Sequence, residues 1–280
     1  MMQLGIFAKT FAGIDPQTVL SAVRQAGFKT AQYNMACSGL SSLPAAISDE
    51  QAIAVAQAAQ TSGVSIAALS ATYNMTHPDE DKRREGRAAF TIIASKAQLM
   101  GTHLVTLCSG SMNAIHQWRY HPDNESPEAW SRMLAEFERI LPVAEVHNIM
   151  LGVEPEMANI VSSAAHANQL IDELKSDRIG IILDPANLFD TSLATQRGQL
   201  IRDAVDLLGD HIVMVHAKDR TIDGNFCAAG QGCVDFEALI RQLAEMRFQG
   251  PLVTHGCTDK QAPAVAAFLK AHLERAGADF

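Results

Sequence analysis

Eight short apolar runs punctuate the chain, at residues 4–7, 30–33, 65–69, 103–107, 149–153, 179–183, 212–215 and 252–254. Each is rich in Val, Ile, Leu or Ala, and few show a clean polar alternation. Strands buried on both faces have this composition, because helices cover one side and a packed interior the other. Between the runs, apolar positions recur at helical spacing over residues 16–26, 49–61, 81–100, 127–146, 163–174, 198–208, 236–246 and 258–276. Gly27, Gly63 and Gly101 follow the first three of these stretches, and glycine adopts the left-handed geometry that ends a helix. Pro16 after Asp15 and Pro127 after Ser126 are helix-start signals. Thr258 with Gln261 reads as a capping box.

Eight strands alternating with eight helices predict an α/β protein built on a parallel sheet. Eight units favour closure into a (β/α)8 TIM barrel, a parallel eight-stranded barrel, over an open doubly wound sheet. No G-x-G-x-x-G follows the first run, which argues against a dinucleotide fold. No Pro/Gly/Ser-rich linker divides the chain, so residues 1–280 are expected to form one domain. The longest irregular insertion, residues 108–126, follows the fourth strand. On a barrel it would hang over the mouth.

Composition narrows the function. The 280 residues are 48% hydrophobic and 19% charged, with a formal net charge of −9. That is ample material for a core, and the acidic balance argues against a partner with a phosphate backbone, so no nucleic acid is expected. No apolar run approaches the ~18 residues of a membrane helix, and the first residues lack a signal-peptide pattern. The five cysteines, Cys37, Cys108, Cys227, Cys233 and Cys257, form no C-x-x-C pair. Reduced thiols and a cytoplasmic location are the expectation.

The chemistry lies where the apolar runs stop. The fifth ends in Val153-Glu154-Pro155-Glu156, the sixth in Leu183-Asp184-Pro185-Ala186-Asn187, the seventh in Val215-His216-Ala217-Lys218-Asp219 and the eighth in Thr254-His255-Gly256. A barrel builds its active site at the C-terminal ends of its strands. Glu154, Asp184, His216 and His255 are therefore candidate ligands for one divalent metal ion, Mn²⁺, Mg²⁺, Zn²⁺ or Co²⁺. Two carboxylates in a narrow mouth repel unless a cation sits between them.

The set E-P-E, L-D-P-A-N, H-A-K-D and G-Q-G-x-V-D-F resembles the xylose isomerase-like TIM barrel superfamily of sugar isomerases and epimerases. That group includes 3-epimerases and keto-sugar dehydratases, with endonuclease IV as a distant relative. The resemblance implies metal ligation by Glu154, Asp184 and His216, and substrate contact by Asn187. It also implies a small carbohydrate substrate and a homo-oligomer. The departure is at the eighth strand, where those epimerases carry a second Glu and this chain carries His255. His255 can be a ligand, a substrate contact or a structural residue, but not a carboxylate base.

The implied reaction is metal-dependent isomerisation or epimerisation of a sugar or sugar phosphate, by α-proton abstraction through a metal-stabilised enediolate. Glu154 is the first candidate base. Glu156, His255 and Lys218, in that order, are candidates for the second acid/base. Lys218, Asp219 and Arg220 are candidate substrate contacts. So are His77, after the third strand, and Trp118 and Arg119 in the insertion, because aromatic faces suit sugar C–H surfaces. The turn Ala229-Gly230-Gln231-Gly232 reads as structural more than phosphate-binding. A dehydratase and a non-catalytic sugar-binding barrel are the alternative functions.

Overall fold

The computed structural model describes residues 1–189 and 196–280. Seven strands come first: β1 (Gln3–Phe7), β2 (Thr30–Tyr33), β3 (Ser65–Ser70), β4 (Leu104–Cys108), β5 (Met150–Glu154), β6 (Ile179–Leu183) and β7 (Ile212–Ala217). A small hairpin of β8 (Asp219–Arg220) and β9 (Phe226–Cys227) follows, and β10 (Pro251–Thr254) completes the barrel. The closed order is β1-β10-β7-β6-β5-β4-β3-β2, with every neighbouring pair parallel. The eight α-helices among the described residues are α1 (Pro16–Gln25), α2 (Asp49–Ser62), α3 (Glu80–Lys96), α4 (Pro127–Val146), α5 (Ala164–Leu174), α6 (Arg197–Leu208), α7 (Phe236–Glu245) and α8 (Ala262–Arg275). The α/β barrel expected from the alternation is what forms.

Two helix boundaries differ from the periodic reading. α3 stops at Lys96, because the next residues tighten into three-residue bonds such as Met100 N to Ala97 O (3.1 Å) before Gly101 turns at φ 86°. α8 starts at Ala262, because Thr258 and Gln261 exchange their capping bonds (2.9 and 3.3 Å) within a turn ahead of the helix. The β8–β9 hairpin left no periodic signal, since two residues per strand are too few to alternate.

Side chains divide into two layers. Ile6, Tyr33, Leu69, Val105, Leu107, Leu151, Val153, Ile181, Leu183 and Val215 join the large core between strands and helices. Ala68, Leu104, Ile182, Met214 and Val253 form a separate cluster. They alternate with the first set along the strands, so they fill the barrel interior.

α3 and α4 meet over a buried charge. Glu136, 1% exposed, accepts from Tyr73 Oη at 2.8 Å and from Arg87 Nη1 at 2.5 Å. Burial, followed by the Glu136 charge, pushes the Tyr73 phenol up, so it stays a donor. The Tyr73 ring fits because position 86 has no side chain: a Cβ there would lie 2.3 Å from Tyr73 Cδ2. Glu136→Gln keeps the shape and removes the charge. The expected cost is about 2 kcal/mol, read as a lower urea midpoint at unchanged slope. An unchanged midpoint would show that water satisfies Arg87 equally well.

Candidate metal centre and barrel mouth

Strand periodicity builds the site. Two residues beyond the interior Ala68, Leu104, Ile182, Met214 and Val253 stand Ser70, Thr106, Asp184, His216 and His255. Successive inward positions on a strand are two apart, so a polar layer is stacked directly on the apolar plug. Glu154 joins it two residues after Gly152, whose missing side chain leaves room for Ile182 and Leu104. The polar layer lies at the C-terminal end because, on these strands, the inward series turns from apolar to polar at or just past the last residues.

Glu154, Asp184, His216 and His255 each aim one ligand-type atom at a common point, all within 4.8 Å of one another. Asp184 Oδ2, His216 Nδ1 and His255 Nε2 are buried without a hydrogen-bond partner. Buried polar atoms left unpaired are costly, and three of them converging with a carboxylate is the donor set of a divalent cation. The two imidazoles pack edge to face, with centroids 4.6 Å apart. Glu154 Oε1 lies 3.2 Å from His216 Nδ1, whereas Oε2 is approached by the Cys108 thiol at 3.9 Å. One oxygen thus faces the cluster and the other the cavity wall. A metal fits these residues; the four of them would hold it.

A relay from the opposite side of the barrel orients His216. Its Nε2–H donates to Gln32 Oε1 at 2.8 Å. The Gln32 amide donates in turn to Ser70 Oγ (3.0 Å) and Thr106 Oγ1 (3.2 Å), which fixes which end of the amide faces the ring. With Nε2 protonated, Nδ1 keeps its lone pair toward the cluster. Gln32, Ser70, Thr106 and Cys108 were not singled out from the sequence. The signal was the parity: each lies on the inward series of its strand.

Lys218 neutralises the acidic side. Its Nζ stands 2.9 Å from Asp184 Oδ2, as an ion pair off the hydrogen-bonding direction, and donates to Asn187 Oδ1 at 3.2 Å. Burial works against the ammonium, but Asp184, Glu154 and Glu156 hold its pKa above the usual value. Burial likewise opposes the Asp184 and Glu154 carboxylates. Lys218 and the two imidazoles outweigh it at Asp184, and His216 followed by Lys218 outweighs it at Glu154, so both stay below their usual range. At Glu156 burial wins over Lys218, and the carboxyl is pushed up to about 7. Burial and the neighbouring His216 lower His255.

The quartet borders a cavity of about 360 Å³, on which Glu154, His216 and His255 open. Its other walls include Lys9, Asn34, Thr72, Gln117 and Trp118. Several candidate contacts lie elsewhere. Asn187 is buried, donating to Glu154 Oε1 (3.2 Å) and Pro155 O (3.1 Å), so it positions the glutamate and does not line the cavity. Asp219 accepts from the backbone N–H groups of Arg220, Gly230, Gly232 and Val234 (2.8, 3.0, 2.8 and 2.9 Å), which occupies both oxygens in shaping the Gly-Gln-Gly turn. Arg220 donates to Phe189 O at 2.8 Å and lies under the Phe226 ring with Lys218. Neither Lys218, Arg220 nor Glu156 lines the cavity. His77 uses both ring nitrogens to tie its loop, to Ala114 O and Asp79 N (each 3.0 Å). Arg119 is exposed and does not line the cavity, while its neighbour Trp118 borders it. No helix among the described residues is long and apolar enough to cross a membrane.

The chain is similar in structure to a 3-keto-D-glucoside 4-epimerase from E. coli in its apo form, at 17% identity and a TM-score of 0.78, covering 97% of this chain and 100% of the other. A D-psicose 3-epimerase with D-tagatose from Clostridium cellulolyticum H10 matches at 16% identity and 0.75, covering 97% and 99%. An L-ribulose 3-epimerase matches at 18% and 0.75, covering 99% and 96%. These identities speak for the fold alone. No curated protein matches the sequence significantly. The sequence profile of the xylose isomerase-like TIM barrel matches residues 20–273, and with that span the chain belongs to the xylose isomerase-like TIM barrel family.

Proposed function

We infer that the protein is a metal-dependent sugar isomerase or epimerase that moves a proton on the carbon beside a carbonyl group. The observation that carries this reading is the four ligand-type atoms within 4.8 Å of one another, on the floor of a hydroxyl- and amide-walled cavity. The names of the structural neighbours, epimerases of keto-sugars, support the same class of substrate.

A divalent metal bound by Glu154, Asp184, His216 and His255 supplies Lewis-acid stabilisation of the charge that develops on the substrate oxygen. Glu154 takes the α-proton with Oε2, the oxygen that neither Asn187 nor His216 approaches. Asn187 donates to its other oxygen, which restrains the carboxylate. Returning the proton to the neighbouring carbon isomerises the sugar, and returning it to the opposite face epimerises it. Of the three candidates for the second acid/base, His255 borders the cavity, and with Nε2 turned to the cluster it would act through Nδ1; Glu156 and Lys218 do not line the cavity. Trp118 offers a ring to the sugar's C–H face.

The test is solvent exchange. In D₂O, with Mn²⁺ or Co²⁺ added, the protein is expected to label one carbon-bound position of a ketose, and chelation is expected to stop it. Labelling that persists after chelation would remove the metal from the reaction. An enone absorbance in place of label would make the protein a dehydratase, and tight binding with neither would make it a sugar-binding barrel.

A further inference from the structure

The mouth does not end at the metal cluster. A second chamber of about 370 Å³ opens beside the first, and the two share Thr72 and Gln117 as a common neck. The floor of the second chamber is apolar, formed by Leu43, Tyr73, Gly86 and Ala89. Its rim is polar, with Asn74, His77 and Gln117. A C–H-rich floor under a hydrogen-bonding rim matches the two kinds of surface of a pyranose ring.

The cleft is preformed. Gln117 is held through its carbonyl, which accepts from Asn159 Nδ2 at 2.8 Å. Asn74 grips the same insertion by donating to Ser111 O at 2.9 Å and accepting from Ser111 N at 2.9 Å. His77 binds Ala114 O at 3.0 Å. The insertion after β4 is thus pinned at several points along both chambers, so an occupant would meet a fixed surface without first having to order it.

Charge restricts the occupant. Lys82, at the rim, is paired with Glu85 at 2.9 Å, and the first turn of α3 carries Glu80 and Asp81. Glu80 is itself paired with Arg83, Arg87 and Arg139, and Asp81 with Arg84, and neither acid lines the chamber, so among the described residues the one ammonium on its wall is Lys82. Among the described residues, Lys9 is the lone ammonium lining the first chamber.

We propose that the substrate is an uncharged glycosylated keto-sugar, with the reacting ring over the metal cluster and a second sugar unit in the chamber floored by Tyr73 and Leu43. This rests on the isomerase or epimerase reading. A free monosaccharide would leave the second chamber to water, and a phosphate there would find Lys82 already paired with Glu85.

The experiment compares D-fructose with three glucosylated forms of it, turanose, maltulose and isomaltulose, in the D₂O exchange assay with Mn²⁺. At least one disaccharide is expected to exchange with a kcat/KM at least tenfold above that of D-fructose. Glu85→Trp, on the exposed face of α3, fills the second chamber from its rim, and Leu43→Trp fills it from the floor. Either variant is expected to bring the disaccharide down to the level of D-fructose while leaving D-fructose unchanged. Equal rates for D-fructose and all three disaccharides, or an advantage that survives both variants, overturns the proposal. Should no sugar exchange, the catalytic reading fails separately, and calorimetric titration of the same four sugars still decides. Tighter disaccharide binding that Glu85→Trp abolishes upholds the second chamber, and equal binding refutes it.

Discussion

Replacing Glu154 with Gln is expected to lower proton exchange by about 100- to 10,000-fold at saturating metal, the range for loss of a general base. Gln has nearly the same shape. It keeps an oxygen for the Asn187 amide, which now donates to Glu154 Oε1 at 3.2 Å. What it loses is charge and basicity. The charge matters because Glu154 and Asp184 repel each other across the cluster, and His216 and Lys218 together hold Glu154 ionised against its burial. A neutral amide also binds a divalent cation more weakly, so the comparison is made at saturating metal, with bound metal measured directly. Relief of repulsion should leave the unfolding midpoint as high as before. Exchange within about threefold of the parent protein would remove Glu154 as the base and move that role to His255 or Glu156.

The second large effect is expected one step behind the ligands. Gln32→Leu should weaken metal binding by about 10- to 100-fold, the usual consequence of removing the partner that orients a ligating imidazole. Gln32 Oε1 accepts the His216 Nε2 proton at 2.8 Å, and the glutamine is itself clamped by Ser70 and Thr106. Without that acceptor the ring can carry its proton on Nδ1, where the metal needs the lone pair. Nitrogen-15 NMR of His216 in the metal-free protein reads this directly: Nε2-protonated in the parent, mixed in Gln32→Leu. Gln32→Glu should restore the tautomer and the affinity, since a carboxylate accepts the same proton. A purely structural role for Gln32 would lower stability and leave the tautomer alone, and that result would dismiss the relay.

Much of the barrel was legible along the chain. Eight buried runs and eight amphipathic stretches with glycine stops are local properties, and the strands formed within a residue or two of those runs. The boundary errors came from competition at helix ends, as at Lys96, where tighter turns replace the α-helical ladder. The mouth was less legible. Glu154, Asp184, His216 and His255 stood out because each interrupts an apolar run with a group that chemistry can use. Gln32, Ser70 and Thr106 interrupt theirs with ordinary amides and hydroxyls. Asp219, by contrast, had the right residue type and the right neighbourhood, but its oxygens are taken by the turn at Gly230 and Gly232.

The sequence by itself determined the fold class, the end of the barrel where the carboxylates and imidazoles gather, and which side chains form that cluster. Those follow from the two-residue period of strands and from where polarity begins on each. Only the tertiary structure decided which polar groups share a point in space. Closure of the barrel sets Gln32 of β2 against His216 of β7, 184 residues away in the chain, and directs Cys108 toward Glu154. It also joins two loops into one cleft with a second chamber. Ring closure fixes distances between strands that no local pattern encodes, and the reach of a hydrogen bond is short enough for those distances to choose each partner.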